Sequence, residues 1–145
     1  MIKSILLGIS LVCLSAPAPT APAGIDTVRV GFVKDHQTSL NMAKDGIRVE
    51  GYRFARAIRG GANPFKMGDG PSIIFDVSGD GTTDKDFGIA VALFDASGRL
   101  VGAATARHKG KLDAGKREEV KVEFQDVNQD VHHAATAFMT LETER

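Results

Sequence analysis

Phe87-Gly88-Ile89-Ala90-Val91-Ala92-Leu93-Phe94-Asp95-Ala96-Ser97-Gly98-Arg99-Leu100-Val101-Gly102-Ala103-Ala104-Thr105-Ala106-Arg107 decides how this chain is read. From Phe87 to Phe94, alternate positions are apolar on both sides. Phe87, Ile89, Val91 and Leu93 share one face, and Ala90, Ala92 and Phe94 the other. A strand apolar on both faces belongs in the middle of a packed sheet, which predicts burial of both Leu93 and Phe94. Asp95-Ala96-Ser97-Gly98 then has the chemistry of a type I turn closed by a left-handed glycine, and Leu100 to Ala106 returns as the second strand. The stretch reads as the central hairpin of a β-sandwich.

Outward from this hairpin the period-two pattern persists. Asp26 to Val33 alternates and keeps one polar face, as a strand near an edge does. Between 35 and 46 two readings compete. Ser39 can cap a short helix through Leu40, Met42 and Ala43, or Lys44-Asp45-Gly46 can turn a hairpin; the turn chemistry favours the second. Ile47 to Ile58 is a long strand whose large apolar residues change phase after Gly51, from Ile47 and Val49 to Tyr52, Phe54 and Ile58. Side chains alternate with period two, so one extra residue must be absorbed there, and a β-bulge at Gly51 is predicted. Residues 60–70 form a Gly-rich loop in which Phe65 and Met67 cover an open end of the core, with a binding tip as the alternative reading. Ser72 to Val77 and Glu119 to Phe124 are further strands. His133 to Leu141 closes the fold, and a charged tail follows. Lys121 should face solvent. The total is about seven strands with no helix of usual length, hence an all-β, single antiparallel sandwich.

The first residues have another character. Lys3 precedes an apolar run from Ile5 to Leu14, and Ala21-Pro22-Ala23 places small residues where a signal peptidase reads them. The run is about ten residues, half of the ~20 a bilayer requires. Residues 1–23 read as a cleaved signal peptide, leaving 122 of the 145 residues, Gly24 to Arg145, as one domain exported to the periplasm or medium. Cys13, the only cysteine, lies within the leader. Ser10 and Val12 stand where a lipoprotein signal has Leu and a small residue. The mature domain therefore has no thiol and must rest on its core alone. Without Lys3 the chain has 17 basic and 18 acidic residues. That balance argues against nucleic acid and anionic lipid as partners.

Leu93-Phe94-Asp95-Ala96-Ser97-Gly98-Arg99-Leu100-Val101-Gly102-Ala103-Ala104, Leu112-Asp113-Ala114-Gly115 and Val120 to Phe124 together resemble the FxLYD-type family of bacterial extracytoplasmic sandwiches. The resemblance covers about residues 86–124, with Val91 where the family's first aromatic belongs. It implies an extracytoplasmic Ig-like fold and no shared catalytic site.

One stretch suggests a ligand. Asp76, Ser78, Asp80, Thr82, Asp84 and Asp86 have the spacing that opens a calcium loop, with glycines to assist the turn. Phe87 occupies the position where an EF-hand needs a bidentate Glu, and strands rather than helices flank the loop. The competing reading is an acidic, soluble connection between two strands. His132 and His133, placed in a strand, point to opposite faces and cannot chelate one metal; His36 and His108 stand apart from them. No Gly-x-Ser-x-Gly elbow occurs, and Ser78 and Ser97 sit in turns. No Trp and one Tyr give no platform for stacking sugars. Arg107 to Lys111 reads as a small, solvated basic turn. The sequence thus leads to an exported, non-catalytic domain that binds a protein or serves an envelope or surface assembly. A weak calcium- or ligand-binding module is the alternative, and an enzyme the third reading.

Overall fold

The computed structural model describes residues 25–56, 70–82, 84–124 and 130–144. The leader, including Cys13, and the loop holding Phe65 and Met67 lie outside these residues.

Eight strands are present among the described residues: β1 (Ile25–Gly31), β2 (Thr38–Lys44), β3 (Ile47–Ala55), β4 (Ser72–Gly79), β5 (Phe87–Phe94), β6 (Leu100–His108), β7 (Arg117–Glu123) and β8 (Thr136–Thr143). They form two four-stranded antiparallel sheets, β1-β8-β5-β6 and β2-β3-β4-β7, packed as a β-sandwich. The eighth strand is β2. Asp45 and Gly46 both adopt positive φ, 44° and 81°, the two-residue turn whose twist matches an antiparallel pair. Residues 38–44 therefore pair with β3 and form no helix. The predicted bulge is present, since the β3–β4 register shifts between Val49 and Gly51. A Cβ on Gly51 would lie 2.8 Å from the Thr38 carbonyl oxygen, so only glycine fits. Downstream of the bulge Tyr52 turns inward. It is fully buried, stacked on Phe32 at 5.8 Å, and its hydroxyl accepts the Val33 N–H at 3.1 Å.

The core lies between the sheets. Ile73, Phe75, Val77 and Val122 of one sheet meet Ile89, Leu93, Met139 and Leu141 of the other. Phe124 and Val131 occupy the core beside Gly102, and Leu112 lies buried against Gly79.

Two expectations need correction. First, β5 is an interior strand, flanked by β8 and β6, but only one of its faces is core. Leu93 is fully buried. Phe94 is half-buried on the outer surface, edge-on to Phe138 at 5.4 Å. A two-layer sandwich has nothing beyond its outer faces to complete that burial. Second, His132 and His133 belong to a one-turn 3₁₀ helix, Asp130–His133, and β8 begins only at Thr136. Both rings are exposed, with His132 edge-on to Phe54 at 5.8 Å.

Candidate functional site

The six residues of the acidic stretch follow the chain as it leaves one sheet for the other. Asp76 and Ser78 lie on the outer face of β4. Asp76 accepts from Gln37 and sits 3.7 Å from Arg53, and Ser78 donates to Glu50 at 2.8 Å. Asp80 receives the N–H and hydroxyl of Thr82, at 2.8 and 2.6 Å. These bonds hold its carboxyl below the usual carboxylate range, the hydroxyl contributing most. Asp84 is exposed. Asp86 turns to the other sheet, accepting the Gly110 N–H at 2.9 Å and lying 3.2 Å from Arg107. The Gly110 N–H leads in lowering its pKa, ahead of Arg107. Asp76 and Ser78 thus share a face, Asp80 and Thr82 form one turn, and Asp86 serves another. Among the described residues no three His, Cys, Asp or Glu side chains group as a metal site.

The Arg107 to Lys111 turn is tied to acids as well. Arg107 bridges Asp86 and Glu144, and His108 stacks on Phe87 at 4.9 Å with Nε2 2.7 Å from Glu118. Ser97 is a turn residue. It donates its N–H and hydroxyl to Asp95 at 2.9 and 2.6 Å, and the Arg99 N–H joins at 3.0 Å. The Ser97 hydroxyl, then the Arg99 N–H, pull the Asp95 pKa down to about 2 from 3.8. Gly98 closes the turn at φ 84°. A folded pKa below the unfolded one means that ionised Asp95 stabilises the fold above pH ~3.8, and that this contribution fades as pH falls toward about 2. Asp95→Asn should therefore melt below the wild type at neutral pH. The two melting curves should converge at about pH 2, and a gap of constant size down to that pH would contradict the assignment.

The outer faces of the two sheets differ in chemistry. On β2-β3-β4-β7 the outward residues of β3, β4 and β7 include several charged side chains that pair. Arg53 meets Glu119 at 2.8 Å, Arg117 meets Glu50 at 2.8 Å, and Lys121 meets Glu123. On β1-β8-β5-β6 the outward rows run Thr27–Thr140–Ala90–Thr105 and Arg29–Phe138–Ala92–Ala103, with Glu142–Gly88–Arg107 at one end. Small, uncharged side chains dominate, and Phe138 is 38% exposed.

Among the described residues, strand β6 ends this sheet with no hydrogen-bonded neighbour on its far side. From Leu100 to Ala106 it carries no charge, and Leu100 is 55% exposed. Edge strands are ordinarily blunted by charge, as β7 is by Arg117, Glu118, Glu119, Lys121 and Glu123. A groove of about 410 Å³ runs along the β6 edge, lined by Ala103, Ala104, Thr105, Lys121 and Glu123. The uncharged run of β6 is plain in the sequence. That it forms an open edge depends on strand order, which spacing along the chain does not give.

Among the described residues no helix is long and apolar enough to cross a membrane. Comparison with models of protein families, with curated proteins and with solved structures finds no match to this chain.

Proposed function

We propose that this chain is an exported, non-catalytic Ig-like module that binds an extended segment of a partner protein, as an accessory of an envelope or surface assembly. The observation that carries the proposal is the open β6 edge, uncharged over Leu100 to Ala106 and bordered by a groove. An added strand would gain affinity from main-chain hydrogen bonds along β6. The small side chains of Ala103 and Thr105 leave room for it, and Lys121 and Glu123 line its far side.

The test has two readouts. Partners are captured from the envelope fraction of the native cell, and amide exchange of the complex is followed residue by residue. Strand addition slows exchange at Gly102 to Ala106. Introducing Ala103→Lys with Thr105→Lys, both at exposed positions, should weaken capture at least about ten-fold, because charges on an edge oppose pairing. A complex that leaves those amides unprotected sinks the reading. Export is checked by N-terminal sequencing of the mature chain, which should begin Gly-Ile-Asp. A cell-retained chain that still starts at Met1 would rule out the exported role.

A further inference from the structure

The outer face of β1-β8-β5-β6 carries a projection and a depression on one surface. The projection is Phe138, supported edge-on by Phe94 and capped by the Arg29 guanidinium at 5.4 Å from its ring centroid. The depression, about 310 Å³, lies over Gly88 and Ala90. It exists because Gly88 has no side chain between its register partners Glu142 and Arg107. The two features lie one strand apart and between one and two rows along. A row spans two residues, ~6.8 Å, so they are roughly 10 Å from one another.

A surface that holds both a knob and its hole is self-complementary under a two-fold axis, where residue i meets j and j meets i. With the axis in the plane of contact and roughly perpendicular to the strands, Phe138 of each copy enters the depression of the other. That operation keeps the order of strands across the face. Arg29, one strand to the β1 side of Phe138, is thereby carried to the β8 side of the partner's Gly88. Glu142 stands there. Shape and charge are satisfied by the same operation. Four strands at about 4.8 Å and four outward rows at about 6.8 Å give roughly 500 Å² per copy. The total of about 1,000 Å² is at the lower limit for a specific interface. We propose that this face docks a second copy of the chain, forming a weak, concentration-dependent homodimer with Phe138 in the partner's Gly88 depression and Arg29 against the partner's Glu142.

Sedimentation equilibrium of the chain purified from its cell tests this. The expected result is a monomer–dimer equilibrium whose dissociation constant rises at least about ten-fold in Phe138→Glu, as loss of a central aromatic anchor does. Gly88→Gln should act similarly by filling the depression. Gly88 has no positive φ, and a Cβ there meets only the Ala106 carbonyl oxygen at an ordinary 3.5 Å, so this variant keeps the monomer intact. Arg29→Glu and Glu142→Arg should each weaken the dimer, and the double reversal should restore it. Absence of restoration would overturn the two-fold. A dimer indifferent to Phe138→Glu and Gly88→Gln overturns the proposal, as does a chain that stays monomeric up to about 1 mM, since even a millimolar dimer would be half formed there. In that last case the face is left for a different protein. These outcomes are independent of strand addition, which is read at the Gly102 to Ala106 amides.

Discussion

Truncating Phe75 to alanine is expected to lower the unfolding free energy by about 3–5 kcal/mol. Phe75 sits mid-way along β4 with its ring fully buried, 6.3 Å from that of Tyr52. β4 is itself interior, flanked by β3 and β7, so the strand cannot easily move to close the cavity. With no thiol among residues 24–145, no disulfide compensates. Domains of this size are stable by about 5–15 kcal/mol, so the variant should lose a large part of its margin. Denaturant unfolding measures it, with two comparisons. Leu93→Ala, equally buried on the facing sheet, should cost about 2–5 kcal/mol. Phe94→Ala, half-buried on the outside, should cost nearer 1 kcal/mol, and Lys121→Ala, exposed on β7, should stay within roughly 0.5 kcal/mol. Equal losses at Phe75 and Phe94 would mean that the outer face is not an outer face.

Gly79→Ala should also be severe, and for the opposite reason. A Cβ at Gly79 would lie 2.5 Å from the Leu112 Cβ and 2.7 Å from the Leu112 carbonyl oxygen. The oxygen is backbone and has no rotamer to escape into. The loop from Lys109 to Lys116 would have to lift away. It would break the bridge between Gly79 and Ala114 and the bond from the Gly115 N–H to the Gly79 carbonyl, and would draw the buried Leu112 out of the core. Overpacking against backbone costs typically 1–3 kcal/mol, and the loss of Leu112 burial puts this case at about 3 kcal/mol. Gly31→Ala is the control. Nothing lies within 4 Å of its added Cβ, so its melting point should hardly change. A Gly79→Ala protein that unfolds like the wild type would show that the loop does not close against β4.

Where local chemistry alone fixes the backbone, the sequence was sufficient. The apolar phase change at Gly51 requires an extra residue in β3 whatever surrounds it, because side chains alternate strictly along a strand. Asp95 to Gly98 form their turn through their own atoms, with the Asp95 carboxylate receiving the Ser97 and Arg99 N–H groups and Gly98 taking the left-handed φ. The alternation of Val120, Val122 and Phe124 marks the inward side of β7 and of the residue that follows it, and all three are buried. Between 35 and 46 both periods were partly met. There the hairpin won because β3 offers β2 a ladder and a face on which Leu40 and Met42 are buried.

What the sequence could not settle depends on atoms far apart in the chain. Phe94 is as apolar as Leu93, but burial needs a second layer, and only one face of a two-layer sandwich has one. The spacing from Asp76 to Asp86 suggests one shared ligand, yet between Gly79 and Phe87 the backbone crosses from one sheet to the other. Asp76 meets Gln37 and Arg53, while Asp86 meets Gly110 and Arg107. Likewise nothing near Gly88 in sequence marks it as a depression. That follows from its pairing with Glu142 and Arg107 across two ladders. Strand order and register set these neighbours, and both are decided by packing the two sheets' inner faces together rather than by the residues that end up outside.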